Sequence, residues 1–180
     1  QERWLARGFR ESSARWDVLA QQVILAPFNI APEAPDGLFN LDQWDGYTAA
    51  RRRLYDALRA GKVENPVVIT GDIHASAVFD LLDAGRAGGP AVPIGTELVG
   101  PSITSPFPEA FVPLVEAAAS RNPGARYLEG RKHGYVLCDV TADTLRADYR
   151  YIETLDRADT PIATGASFVI EAGHPGAKQV

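Results

Sequence analysis

An α/β fold, with helices layered against a mixed β-sheet and a β-hairpin near the C-terminal end, is predicted by three features. Short continuous apolar runs, of which Val67-Val-Ile-Thr70 is the clearest, have the pattern of strands buried on both faces. Amphipathic stretches of helical period alternate with them, most plainly at residues 46–60. Two strand-like segments, 135–141 and 144–154, flank Ala142-Asp143 as the arms of a hairpin do. Alternating elements of this kind stack as layers around one core.

The elements follow in chain order. Residues 1–13 place Trp4, Leu5, Gly8 and Phe9 at helical spacing, with Arg3, Arg7 and Arg10 elsewhere, so an amphipathic helix is expected. Residues 15–25 are rich in strand formers and read as one buried strand. Residues 26–43 carry Pro27, Pro32, Pro35 and Gly37 without periodicity, which is a long loop of the functional or mobile kind. The helix at 46–60 has Asp45 to cap its start and Gly61 its end. The run 67–70 leads directly into Gly71-Asp72-Ile73-His74. Residues 75–82 are apolar, either a short helix or a strand, and 85–93 read as a Gly/Pro loop. A strand at 95–99, a turn-rich stretch at 100–108 and a helix over 109–119 come next. Pro113 requires the hydrogen-bonded part of that helix to begin at or just before it. A short strand at 126–129 precedes the hairpin, and the tail from 158 to 180 has too few apolar residues to anchor itself, so weak order is expected there.

Composition bounds the function. With 180 residues, 46% hydrophobic and 23% charged, one ordinary globular domain with a real core is expected rather than a disordered chain. The net charge of −5 argues against general attraction to nucleic acid or to anionic membrane. No apolar run approaches the ~18 residues of a spanning helix. The single cysteine, Cys138, excludes an internal disulfide and reads as a small core residue within Val-Leu-Cys-Asp-Val. A chain that begins at Gln1 and contains no methionine is read as an excerpt of something longer.

Candidate chemistry gathers at Asp72 and His74. Ligands of α/β sheets sit beyond the carboxyl ends of strands, and both residues follow a buried strand directly. Extended alternation would turn residues i and i+2 to one side, joining a hard carboxylate oxygen to an imidazole nitrogen on one cation. The competing reading is a carboxylate that caps a turn and a histidine bonded to backbone. Two ligands do not complete a metal site, so others must come from elsewhere. In Leu41-Asp-Gln-Trp-Asp-Gly-Tyr47, Asp45 reads as a helix cap, with Trp44 and Tyr47 clasped around the helix start. Alternatively the long loop brings Trp44, Asp45 and Tyr47 to the rim of the site, where a backbone carbonyl or Asp45 binds calcium. Arg51-Arg-Arg53 suits an anion but reads first as a solvated helix side. His133 reads as a turn histidine and His174 as a surface one. Ser76 and Ser102 lack a nucleophile-elbow setting, and no Walker loop or GxGxxG is present.

Six segments in order resemble one family: Arg15-Trp-Asp-Val-Leu-Ala-Gln-Gln-Val23, Asp42-Gln-Trp-Asp-Gly-Tyr47, Val67-Val-Ile-Thr-Gly-Asp-Ile-His74, Glu97-Leu-Val-Gly-Pro-Ser-Ile-Thr-Ser105, Asn122-Pro-Gly-Ala-Arg-Tyr127 and Gly134-Tyr-Val-Leu-Cys-Asp-Val-Thr141. The pattern resembles the C-terminal half of the catalytic domain of PhoD-type alkaline phosphatases, over residues 1–157 of this chain. The resemblance implies a calcineurin-like metallophosphoesterase sandwich of two mixed sheets flanked by helices. It implies hydrolysis of small-molecule phosphate mono- and diesters by a metal-activated water, with iron and calcium as cofactors. Asp72 and His74 match the family's metal-binding Gly-Asp-X-His, and Trp44 matches a position that approaches calcium through its main chain. The family's other ligands, a cysteine among them, lie in an N-terminal half that nothing here matches, and Cys138 is not that cysteine. No role carries over to His133. Action outside the cytoplasm is also implied. The alternatives are a non-catalytic binding or assembly module on the same fold, or a phospholipase D-like phosphodiesterase.

Overall fold

The computed structural model describes residues 1–85 and 89–180. Its helices are α1 (Glu2–Glu11), α2 (Thr48–Ala60) and α3 (Val112–Ala119), with 3-10 turns at Trp44–Tyr47 and Glu109–Phe111. Its strands are β1 (Asp17–Ala20), β2 (Pro66–Thr70), β3 (Ser76–Asp83), β4 (Val92–Val99), β5 (Ala125–Glu129), β6 (Gly134–Val140), β7 (Thr144–Ile152), β8 (Ile162–Glu171) and β9 (His174–Gln179). The segment 75–82 is therefore strand rather than helix. Of the Gly/Pro loop expected over 85–93, residues 86–88 lie outside the described residues, and β4 already begins at Val92.

Two sheets stack face to face. The first runs β1-β2-β4-β3-β5 and is mixed, with β1, β2 and β4 parallel and β3 antiparallel to both its neighbours. The second, β6-β7-β8-β9, is an antiparallel meander throughout. Val67, Val78 and Leu98 of the first sheet meet Leu145, Tyr149, Tyr151, Phe168 and Ile170 of the second. On its other face the first sheet packs against Leu54, Tyr55 and Leu58 of α2, Val115 and Ala118 of α3, and Phe9 of α1. The result is helices, mixed sheet, antiparallel sheet, in that order. α3 begins one residue before Pro113, where its missing N–H costs nothing.

Strand β1 is shorter than the apolar run that predicts it. Beyond Ala20 the chain leaves the ladder, yet Ile24, Leu25 and Ala26 stay buried in the helix-side core. Burial rewards the apolar run whether or not it pairs as a strand, provided its N–H groups find other acceptors. Side chains supply those acceptors, as described below.

The C-terminal tail is the larger difference. Residues expected to be weakly ordered form β8 and β9, and β8 buries Ala166, Phe168 and Ile170 on a single face. A strand in a two-layer sandwich needs only one apolar row, which a count of apolar residues overlooks. Cys138 differs as well. It lies exposed on the edge strand β6, although its register opposite the buried Ala147 places it on the inner face of the sheet. His174 is exposed, as expected.

Candidate functional site

Strands β1, β2 and β4 run parallel, so the loops leaving them gather at one end of the sheet. These are the loop 21–43, the turn 71–75 and the loop 100–108. Gly71 N–H donates to Gln22 O and Gly100 N–H to Thr70 O, which ties the three together.

Asp72 and His74 stand exposed at this end, with half-buried Ile73 between them packed on the helix-side core. Exposure alternates as expected, but the backbone is not extended. Ile73 N–H folds back to Gly71 O at 2.9 Å, and Asp72 and His74 have φ of +71° and +59°. Left-handed backbone at a residue with a Cβ costs on the order of 1–3 kcal/mol and collects where function holds it in place. Two such residues flank one anchored isoleucine and leave a carboxylate and an imidazole exposed at this end of the sheet.

Each side chain is fastened from behind. Asp72 Oδ2 accepts a hydrogen bond from Gln43 Nε2 at 3.1 Å. His74 Nδ1 lies 3.2 Å from Pro106 O, and a carbonyl only accepts, so Nδ1 carries the proton. That contact leaves Nε2 as the ring nitrogen without a protein partner, and Asp72 keeps Oδ1. A histidine with Nδ1–H on a carbonyl and Nε2 free is the usual second-sphere arrangement of a metal-ligating imidazole. The donor set, one carboxylate oxygen and one neutral nitrogen, fits a divalent or trivalent cation. Among the described residues no cluster of three or more His, Cys, Asp or Glu side chains forms.

Asp45 is not free to join them. Its Oδ2 accepts from Phe28 N–H at 3.0 Å and its Oδ1 pairs with Arg51 at 2.7 Å. Both side chains are largely enclosed, 12% exposed for Arg51 and 8% for Asp45, so Asp45 closes the long loop onto α2 instead of capping the helix. Arg51 is correspondingly not a solvated residue, and it also reaches Leu25 O at 3.3 Å. Arg53 pairs with Glu2 at the surface. Trp44 donates its N–H to Ile24 O and its indole Nε1 to Gln21, which seats its main chain against the same loop. Tyr47 is 63% exposed and clasps nothing. Gly46 follows from close approach, since a Cβ there would lie 2.1 Å from Leu41 O.

Two residues to which the sequence pattern gives no role organise the surroundings. Gln43, 6% exposed, accepts from Ile24 N–H with Oε1 at 2.6 Å while its Nε2 serves Asp72. Glu97, wholly buried on β4, accepts from Leu25 N–H at 2.8 Å and Ala26 N–H at 2.7 Å, one oxygen to each. Burial pushes its carboxyl up to about 7, against the pull of those two bonds. Below the turn, Tyr151 donates to Ser76 Oγ and Tyr149 to Ala77 O, so the second sheet braces the start of β3. Ser76 is thereby spent as a hydrogen-bond acceptor, as its lack of a nucleophile setting suggests. Ser102 does have a histidine neighbour, His133 Nδ1 at 3.1 Å, but its own hydroxyl donates to Ser105 O. That leaves the ring donating to the serine, the reverse of an activated nucleophile.

The sequence model of the PhoD-like phosphatases matches residues 1–149. The chain belongs to this family. Alkaline phosphatase D of Bacillus subtilis (strain 168) is 35% identical over 182 residues, covering 100% of this chain and 30% of the relative. A solved structure of PhoD superposes with a TM-score of 0.82 at 30% identity, over 99% of this chain and 34% of that one. The mixed α/β fold with two sheets is that of the PhoD structure. The chain thus spans about a third of the length of each of these two proteins. No described helix is long and apolar enough to cross a membrane.

Proposed function

We propose that the protein hydrolyses small-molecule phosphate esters, monoesters and also diesters, with Asp72 and His74 holding part of a metal site. The observation that carries this reading is the turn 71–75. It bears a carboxylate and an imidazole on left-handed backbone, each with one polar atom fastened behind and another facing out. Calcium and iron are the metals proposed, because the resemblance to PhoD-type phosphatases implies them and a carboxylate with an imidazole is compatible with both. When bound, such a cation supplies Lewis-acid charge for the phosphate oxygens and acidifies water. The chain's own task is to present the Asp72 carboxylate and the His74 imidazole at the same turn. The Trp44 main chain is a proposed further contact. The remaining ligands would come from segments that the relatives possess beyond this chain, and the proposed place of action is outside the cytoplasm.

The test is turnover of mono- and diester substrates by the complete protein supplied with calcium and iron. Asp72→Ala and His74→Ala are each expected to lower turnover by more than about 100-fold, beyond the roughly 10–100-fold cost of losing a group that only orders a ligand. Undiminished turnover in Asp72→Ala would sink the site assignment. A wild-type protein that cleaves no ester and gains no thermal stability from either metal would be a binding module instead.

A further inference from the structure

We infer that Gln43 is a positioning residue for Asp72, setting the carboxylate in place before a cation arrives. The inference rests on the reading of Asp72 as a metal ligand. Both ends of the Gln43 amide are committed. Oε1 can only accept, and it takes Ile24 N–H at 2.6 Å, so the amide cannot flip. Nε2 is therefore fixed as the donor that reaches Asp72 Oδ2 at 3.1 Å. The amide is buried, whereas the carboxylate it holds is exposed, so it is a rigid post beneath a solvent-facing group.

The post is itself anchored. Ile24 N–H neighbours Leu25 and Ala26, whose N–H groups end on the buried Glu97 carboxylate. Main-chain bonds add to this, with Gln43 N–H on Asn40 O and Trp44 N–H on Ile24 O. Asp72 is thus connected to the centre of the first sheet by Gln43, the 24–26 backbone and Glu97. An exposed aspartate on a left-handed turn would otherwise sample several rotamers. Holding it in one lowers the entropy cost of cation binding, in addition to keeping Oδ1 turned outward.

The test is calcium titration of the complete protein, measuring affinity and stoichiometry separately. Gln43→Met deletes both bonds while filling a largely apolar setting, a cavity of about 90 Å³ whose walls include Ile24, Phe28, Ile73 and Phe79. Its calcium Kd is expected to rise about 10-fold with stoichiometry near that of wild type. Gln43→Asn, one methylene shorter, keeps an amide but cannot span Ile24 and Asp72 together. It serves if the methionine variant does not fold, and the same rise in Kd is expected. A merely structural glutamine would lower the number of binding-competent molecules and leave Kd alone, and that result overturns the inference. Asp72→Ala separates the two levels. If it abolishes calcium binding while both Gln43 variants bind normally, the positioning role alone falls. Unchanged binding in Asp72→Ala removes the ligand reading beneath it.

Discussion

Arg126→Met is expected to destabilise the protein by about 3 kcal/mol, because it strands a buried carboxylate. Asp80, on the central part of β3, is 2% exposed. Its Oδ2 accepts from Arg126 Nε at 2.6 Å and lies 2.5 Å from a second guanidinium nitrogen. Its Oδ1 accepts from Ala177 N–H of β9 at 3.1 Å. Removing the arginine leaves that carboxylate with one main-chain donor and no countercharge. The figure sits at the low end of the usual 3–5 kcal/mol because Arg126 is 45% exposed and partly screened. The converse change, Asp80→Asn, removes the charge along with its pairing and keeps an acceptor for Ala177, so a smaller loss is expected. Urea unfolding of both variants measures the difference, and equal midpoints for wild type and Arg126→Met would show that the pair carries no such weight. Because Asp80 also holds β9, amide exchange along residues 174–179 should rise in Arg126→Met before the rest of the sheet opens.

That anchor explains why the tail is hard to read from sequence. His174-Pro-Gly-Ala-Lys-Gln179 carries almost no apolar side chains, and beyond its ladder with β8 it is tied to the first sheet by a carboxylate 97 residues away. Composition and periodicity report hydrophobic burial and local geometry, and they are silent on polar partners distant in sequence. The turn at Asp72 and His74 is legible for the opposite reason. The apolar strand before it and the two ligand-type residues lie within one short segment, so strand-end placement follows from local pattern alone. Asp45 misleads because its local rule is real: an aspartate ahead of a helix is a good cap, yet here Arg51 and Phe28 N–H outcompete the helix end. Gln43 lies inside a motif that the sequence displays, but its partners, Ile24 and Asp72, are 19 and 29 residues off. Glu97 stands in an apolar strand, where a glutamate reads as an oddity rather than as the acceptor for a loop 72 residues earlier.

Glu97→Gln is expected to be costly at acid pH and nearly silent at alkaline pH, which distinguishes it from an ordinary core defect. The wild-type carboxyl is raised from 4.5 to about 7, chiefly by desolvation. A folded-state value above the unfolded one means that the folded chain holds this proton more tightly. The stabilisation is therefore complete below about 4.5 and is lost as pH rises through 7. Over that window the loss is on the order of 3 kcal/mol, from about 1.4 kcal/mol per pH unit. A glutamine does not titrate, so its own contribution stays flat. It also pairs poorly, because only one of its two polar atoms accepts while both Leu25 and Ala26 present N–H donors. One buried N–H left without a partner costs about 1–3 kcal/mol at any pH. At pH 4.5 wild type should exceed the variant by the largest margin, and above pH 8 that margin should shrink by about 3 kcal/mol. Taking the difference between the two proteins at each pH cancels the titration of every carboxylate they share. A margin independent of pH would mean that Glu97 stays ionised in the folded protein throughout, neutralised by Arg51 and the two N–H bonds. If the margin does narrow, the loop 24–26 is held by a neutral acid below neutrality and by a charged one above it. The charged form accepts hydrogen bonds more strongly from Leu25 and Ala26. Alkaline conditions would then cost the fold some stability while tightening the strap that carries Ile24, Gln43 and, through them, Asp72.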